Sequence, residues 1–422
     1  MRPLQLDDEE QALLRGDAGR AAQISAEIVV RMAKATGADR LIPIASAHID
    51  GCLYHGPVST DFARQLVDAG GAVRVPTTLN VGAIDMIHPE LFRGSAEAAA
   101  SSRELARLYA ALGCRSTWTC APYQLSDRPA FGEHIAWAES NAIVFANSVL
   151  GARTARYGDF IDIAAAIIGR VPYSGLHRDE DRLGQVLFRL DRISHRLADS
   201  DVLFATLGHI IGRHAEGQIP VVEGIDHASE DQLKALGAAA ASSGSIGMFH
   251  VVGVTPEAET LPMAFGGRPP LRVIDVSRED LLAAAAELSP SVSEPIGAVS
   301  VGTPHFSLDE FRMLRTLIGG RALSPRIDFY VSTGRDVMHE IDEQGWLKEL
   351  QNAGVQIVTD TCTYITPIIK YRTGVVMTNS AKWAWYAPSN TGLRPVFGSL
   401  RECVETAVNG ELWRDESLWR DD

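Results

Sequence analysis

Apolar residues in "DDEEQALLRGDAGRAAQISAEIVVRMAKATGADRL" recur every three to four positions, the spacing of one helical face, and "GDAG" interrupts them once. Two helices are predicted there, and the apolar run "LIPIAS" after them predicts a strand. "FARQLVDAGG" reads as a helix closed by glycine, "AVRVPTTLN" as a strand with a polar tip, and "ELARLYAALG" as a helix. "STWTCAPYQ" reads as an extended segment and "NAIVFANSVLG" as a buried strand or short helix. Beyond residue 225 the strand-like runs "GSIGMFHVVGVTP", "RVIDVS", "IGAVSVGTPH", "IDFYVSTG" and "VQIVTDT" alternate with the helix-like "REDLLAAAAEL", "LDEFRMLRTLIGG" and "WLKELQNAG". That alternation predicts an α/β fold with largely parallel sheets flanked by helices. The tail "GVVMTNSAKWAWYAPSNTG" predicts a strand and a polar loop before a last helix, "GSLRECVETAVNG". The expected organisation is a catalytic subdomain, 1–225 with 375–422 packing back on it, and a second subdomain, 226–374.

The chain has 422 residues, 46% hydrophobic and 22% charged, which suits a globular protein too long for a single core. Its net charge of −14 argues against nucleic acid as a main partner. The N-terminal stretch is acidic and lacks an apolar signal core, and no apolar run reaches the roughly 18 residues of a membrane span. Five cysteines, an odd and scattered set, fit a reducing cytoplasm better than a disulfide framework.

Candidate chemistry clusters where strands end, the usual place for ligands in open α/β sheets. In "SAHIDGCLYHG", Ser46, His48, Asp50 and Cys52 alternate, so an extended backbone would set them on one face. The same residues would also serve as a polar strand end held by local hydrogen bonds. Cys120 in "TWTCAPYQ" and Cys362 in "TDTCTYI" are each flanked by threonines. Without a local CxxC motif, a metal site would have to be assembled by the fold, and two buried structural cysteines are the other reading. Thr77 and Thr78 in "PTTLN", and Glu139, Ser140 and Asn141 in "AESNA", offer groups able to hold a carboxylate or hydroxyl, or simply turn and cap chemistry. Lys382 lies beside two tryptophans and suits a substrate carboxylate, although a lysine there is commonly a snorkelling surface residue. Arg153 and Arg156 offer the same choice between anion binding and a surface ion pair. No GxGxxG before a helix, GxxxxGK[ST], HExxH or GxSxG motif is present.

Together "SAHIDGCLY", "VRVPTTLNVG", "TWTCAPYQ", "RPAFGEHIAWAESNAIVFANSVLGARTARYGDF" and "ALGAAAASSGSIGMFHVVGVTPEA" resemble the catalytic part of aconitase X, from about residue 5 to about residue 410. The resemblance implies an aconitase-like body and an iron–sulfur or iron-dependent hydro-lyase acting on a small hydroxy acid. It implies cluster ligands at Cys120, Cys362 and a third cysteine in a "GCPH" segment. Here that segment reads "VGTPH", with Thr303 in the cysteine's place. Threonine is a hard, neutral ligand, so a smaller cluster such as [2Fe–2S] or a mononuclear iron is expected, with Cys52 or a histidine as third ligand. The missing cysteine, together with "NSAKWAWYAPSNTG" and "SSGSIGMFHVVGVTPEA", points to cis-3-hydroxy-L-proline as substrate, with mevalonate 5-phosphate the alternative and a non-catalytic hydroxy-acid binding subunit a further one. The resemblance also implies that a small subunit carrying the swivelling domain joins as a separate chain. Ser46, His48, Glu139 and Lys382 are the expected catalytic residues; Thr77, Thr78, Ser140 and Asn141 are the expected substrate contacts.

Overall fold

Local chemistry sets the helix ends. Asp7 accepts the amide of Glu10, whose carboxylate accepts that of Asp7, so a capping box starts the helix Asp8–Arg15 and Gly16 closes it in the left-handed region. The second expected helix follows as Arg20–Ala35. The computed structural model describes residues 3–190 and 193–420. It divides into two units, 1–84 with 94–183, and 85–93 with 184–422.

The first unit contains strands β1 (Leu41–Pro43), β2 (Ala47–Ile49), β3 (Thr77–Leu79), β4 (Ala136–Trp137) and β5 (Arg170–Pro172). β1 pairs antiparallel with β5, and β3-β2-β4 form a parallel sheet in which His48 stands opposite Thr78 and Trp137. The apolar helix Ile161–Ile168, buried from Asp162 onward, packs against β2. "NAIVFANSVLG" is the helix Ser140–Phe145 continued by one π-turn, Ala146–Leu150.

The second unit contains β6 (Val186–Leu190), β7 (Pro220–Glu223), β8 (His250–Val251) and β9 (Arg272–Val276), a parallel sheet in the order β8-β7-β6-β9. A second parallel sheet, β12-β11-β10-β13-β14, joins β10 (Ala298–Phe306), β11 (Asp328–Thr333), β12 (Val355–Val358), β13 (Val375–Thr378) and β14 (Arg394–Phe397). The expected boundary at residue 225 is therefore displaced. A cut there would separate β7 from β8, which are hydrogen bonded, and the chain divides before β6 instead. Residues 375–422 belong with the second unit, where β13 pairs with β10 and β14 with β13, and they meet only that part of 1–225 which the second unit contains, through Asp201, which accepts from Asn379 and the Leu400 amide. The expected loop "NSAKWAWYAPSNTG" is the helix Ala381–Thr391, capped by Ser380.

Helices Asp201–His214 and Glu230–Gly244 meet backbone to backbone. A Cβ on Gly208 would stand 2.2 Å from the Leu236 carbonyl oxygen, and one on Gly244 would stand 1.8 Å from that of Gly212. Helix propensity favours alanine over glycine by about 1 kcal/mol, but here the obstacle is backbone that cannot turn aside. Gly208→Ala is expected to lower stability by about 1–3 kcal/mol net in urea unfolding; an unchanged midpoint would contradict this packing.

Candidate functional site

In the first unit the chemistry gathers at the carboxyl ends of β2, β3 and β4. Asp50 follows β2, Asn80 follows β3, and Glu139 lies two residues beyond β4. Asn80 donates its side-chain amide to Asp50 Oδ1. The "TWTC" segment is drawn alongside β3: the Arg115 amide donates to the Thr77 carbonyl, Thr117 Oγ1 to the Leu79 carbonyl, and the Thr119 amide also to Leu79. These bonds deliver Cys120 to the same edge, and Asn141 fixes the loop by donating to the Cys120 carbonyl at 2.9 Å and to Tyr123 Oη at 3.0 Å.

Burial controls protonation here. Asp50 is pushed up to about 7 by burial, then by the neighbouring charges of Glu139 and Asp159, against which the Asn80 hydrogen bond acts. Asp162, fully buried, is also raised to about 7 by burial, although it accepts the amides of Asp50 and Gly51. His48 is fully buried, its Nδ1 is 2.8 Å from Thr78 Oγ1, and burial lowers its pKa to about 3. It is a neutral ring at physiological pH. Glu139 sits at φ +74° as the cap of Ser140–Phe145, accepting the Ala142 amide at 2.7 Å and the Ser140 hydroxyl at 3.3 Å.

Ser46, Thr77 and Thr78 are separated from this edge. They line a cavity of about 300 Å³ at the amino ends of the strands, with Arg115, Asp127, Glu133 and Trp137. β2 spans only three residues, so the alternation from Ser46 to Cys52 does not hold as one extended face. Cys52 lies in the turn after it, and its thiol donates to the carbonyls of Ile49 and Asn80, each at 3.3 Å. Burial, followed by the charges of Asp50 and Asp162, raises that thiol well above its usual range. A thiol so held is a poor thiolate ligand. Arg153 is paired with Asp179.

In the second unit a ring nitrogen of His305 and Sγ of Cys362 lie within 4.8 Å of each other, both buried. His305 ends the "GTPH" segment, which continues β10 rather than forming a polar tip. Its Nε2 stands 3.3 Å from the Thr361 carbonyl, and burial lowers its pKa to about 4. A neutral ring that donates from Nε2 carries a deprotonated Nδ1, the tautomer a metal needs. Sequence reasoning did not single out His305; its place two residues after Thr303 was the available signal. Thr303 Oγ1 is buried with no hydrogen-bond partner. Lys382 is 2% exposed in the first turn of its helix, with Nζ 5.9 Å from the centre of the Tyr364 ring.

The Cys362 loop is built on Asp85. This fully buried carboxylate accepts the Thr359 amide and hydroxyl and the amides of Ile87 and His88, and contacts His88 Nδ1 at 3.1 Å. Asp360, in the left-handed region at φ +60°, accepts two bonds from Arg335 and one from the Met86 amide. Beyond Cys362, Thr363 Oγ1 accepts from Trp383 Nε1 and lies 2.7 Å from Ser300 Oγ.

Family models for the first, second and third domains of aconitase X match residues 3–180, 184–286 and 296–409. Cis-3-hydroxy-L-proline dehydratase of Pseudomonas aeruginosa is 44% identical over 412 residues, covering 96% of this chain and 70% of its own length. The enzyme of that name from Hypocrea jecorina is 43% identical, covering 96% and 69%. The phosphomevalonate dehydratase large subunit of Methanothermobacter thermautotrophicus is 36% identical, covering 93% and 96%. The crystal structure of Thermococcus kodakaraensis aconitase X in its holo-form superimposes with a TM-score of 0.86 at 34% identity, over 96% of this chain and 100% of that one.

Replacing Asp85 by Asn turns an amide NH₂ toward buried donors and is expected to cost about 2–3 kcal/mol in denaturant unfolding. His88 is raised above its ordinary value by its bond to Asp85, so its stabilising charge is present at low pH and lost as pH rises through that raised value. Urea midpoints of wild type and His88→Gln should differ at pH 6 and converge at pH 9; a gap that widens with pH would contradict the pairing.

Proposed function

The chain belongs to the aconitase X family, and from that premise we propose that it is a hydro-lyase dehydrating cis-3-hydroxy-L-proline. The observation that carries the substrate is 44% identity over 96% of the chain to a curated cis-3-hydroxy-L-proline dehydratase, against 36% for the phosphomevalonate enzyme quoted above. The immediate product would be an enamine, which tautomerises to Δ1-pyrroline-2-carboxylate.

We further propose that Cys120, Cys362 and His305 hold iron, as a mononuclear ion or a small iron–sulfur cluster. Two sulfurs and an imidazole form a borderline-soft donor set that suits iron, and the buried Thr303 hydroxyl adds a hard donor where the family has cysteine. Bound there, the metal would act as a Lewis acid on the substrate's hydroxyl. His305 becomes the third ligand in this reading, in place of Cys52.

The chain's own residues divide the remaining work. Lys382, buried in the first turn of its helix, is proposed to take the substrate carboxylate and so stabilise the charge that develops when the C2 proton leaves. His48, neutral, orients by hydrogen bonding rather than by transferring a proton. Glu139 and Ser140 hold the start of their helix, and Asn141 holds the Cys120 loop, so these residues shape the pocket wall. Ser46 and Thr77, at the opposite strand ends, are left with a supporting role.

A small partner subunit remains part of the proposal, because a relative whose length this chain covers to 96% is named a large subunit. A reducing, cytoplasmic setting is proposed from the odd and scattered set of five cysteines. Among the described residues no helix is long and apolar enough to cross a membrane.

The test is turnover of cis-3-hydroxy-L-proline against mevalonate 5-phosphate by anaerobically purified protein, alone and with a co-expressed small subunit. Alanine at Cys120, Cys362 or His305 should remove iron and at least ~99% of the dehydration, whereas Cys52→Ala should keep both. Preferred turnover of mevalonate 5-phosphate would overturn the substrate, and full iron and activity in Cys362→Ala would overturn the metal site.

A further inference from the structure

Asp50 and Asn80 occupy the carboxyl edge of the β3-β2-β4 sheet as a pair that presents only acceptors. The Asn80 amide nitrogen is committed to Asp50 Oδ1, which turns the side chain toward that carboxylate. Asn80 is 2% exposed, yet its Oδ1 has no hydrogen-bond partner. A buried amide oxygen left in this state costs free energy unless a donor arrives. Asp50 itself is half-buried. Glu139 from the edge of β4, and Asp159 and Asp162 from the start of the helix Ile161–Ile168, surround it with like charge. The corner thus combines an unused acceptor with negative potential, and a donor-rich cation relieves both.

We propose that Asp50 and Asn80 bind the secondary ammonium of the amino-acid substrate and thereby set its class. This rests on the hydroxyproline reading and deepens it. A cyclic secondary ammonium carries two N–H donors. One meets Asp50 Oδ2 and the other Asn80 Oδ1, while Glu139, Asp159 and Asp162 supply the field. Holding the nitrogen protonated also draws charge from the adjacent C2–H bond. A substrate with a phosphate in place of the amine would bring anion to anion and be repelled, so the same two residues select against phosphorylated hydroxy acids.

The test compares cis-3-hydroxy-L-proline with cis-2-hydroxycyclopentane-1-carboxylate, which keeps ring, hydroxyl and carboxylate but lacks the amine. Binding is measured by calorimetry on the metal-loaded full chain, with any co-purifying subunit retained. Wild type should bind the amino acid at least about ten-fold more tightly than the carbocycle. Asp50→Asn and Asn80→Ala, each checked for an unchanged circular dichroism spectrum, should each reduce that preference to about two-fold or less by weakening the amino acid alone. If both variants keep the preference, or weaken the two ligands equally, the inference is overturned while the dehydratase reading stands. If wild type binds neither compound, the substrate reading fails and takes this inference with it.

Discussion

A carboxylate with no solvent exposure, Asp85, decides where the Thr359–Cys362 loop can lie. Satisfying it takes the Thr359 amide and hydroxyl as well as the amides of Ile87 and His88. Once those donors are in place, the residues after β12 have little freedom: Asp360 is drawn to Arg335, and Thr363 to Trp383 and Ser300. Burial alone would push Asp85 toward protonation, yet the bonds from His88 and Thr359 outweigh it and hold the carboxyl below its usual range. The cost of burying the charge is offset by the order it imposes on the loop that carries a proposed metal ligand.

The first unit uses burial differently. At the carboxyl edge of its small parallel sheet, Asp50 has one amide partner and several carboxylate neighbours, so its proton is held up to about neutrality. Asp162 is raised as well, but backbone amides occupy both of its oxygens. The contrast separates structure from function: Asp162 ties the turn after β2 to its helix, whereas Asp50 keeps an oxygen for something else. Enzyme sites commonly keep such groups strained by their neighbours, because a ligand can then supply what the fold withholds.

Much of this was legible in the sequence. The alternation of strand and helix pointed to the parallel α/β architecture, and the apolar spacing of "DDEEQALLRGDAGRAAQISAEIVVRMAKATGADRL" to its first two helices. Cys120 and Cys362 stood out because each follows a strand-like run. Other features were not legible, because they depend on pairing between distant strands. The period-two reading of Ser46 to Cys52 failed since β2 ends after three residues, and Ser46 lines a cavity that Asp50 does not. The domain limit was misplaced because nothing local in "IPVVEGI" reveals that β7 pairs with β8. Asp85 and His305 were missed for the same reason, since their partners lie 274 and 56 positions away in the chain.

The central claim is that two thiolates and the His305 imidazole together hold iron in a hydroxy-acid dehydratase. Iron-edge X-ray absorption on anaerobically loaded protein tests it most directly, with His305→Ala alongside. The account predicts sulfur in the first coordination shell together with outer-shell scattering from an imidazole ring, the latter lost in the variant. A first shell of oxygen and nitrogen alone, or an imidazole signature that survives removal of His305, would contradict it.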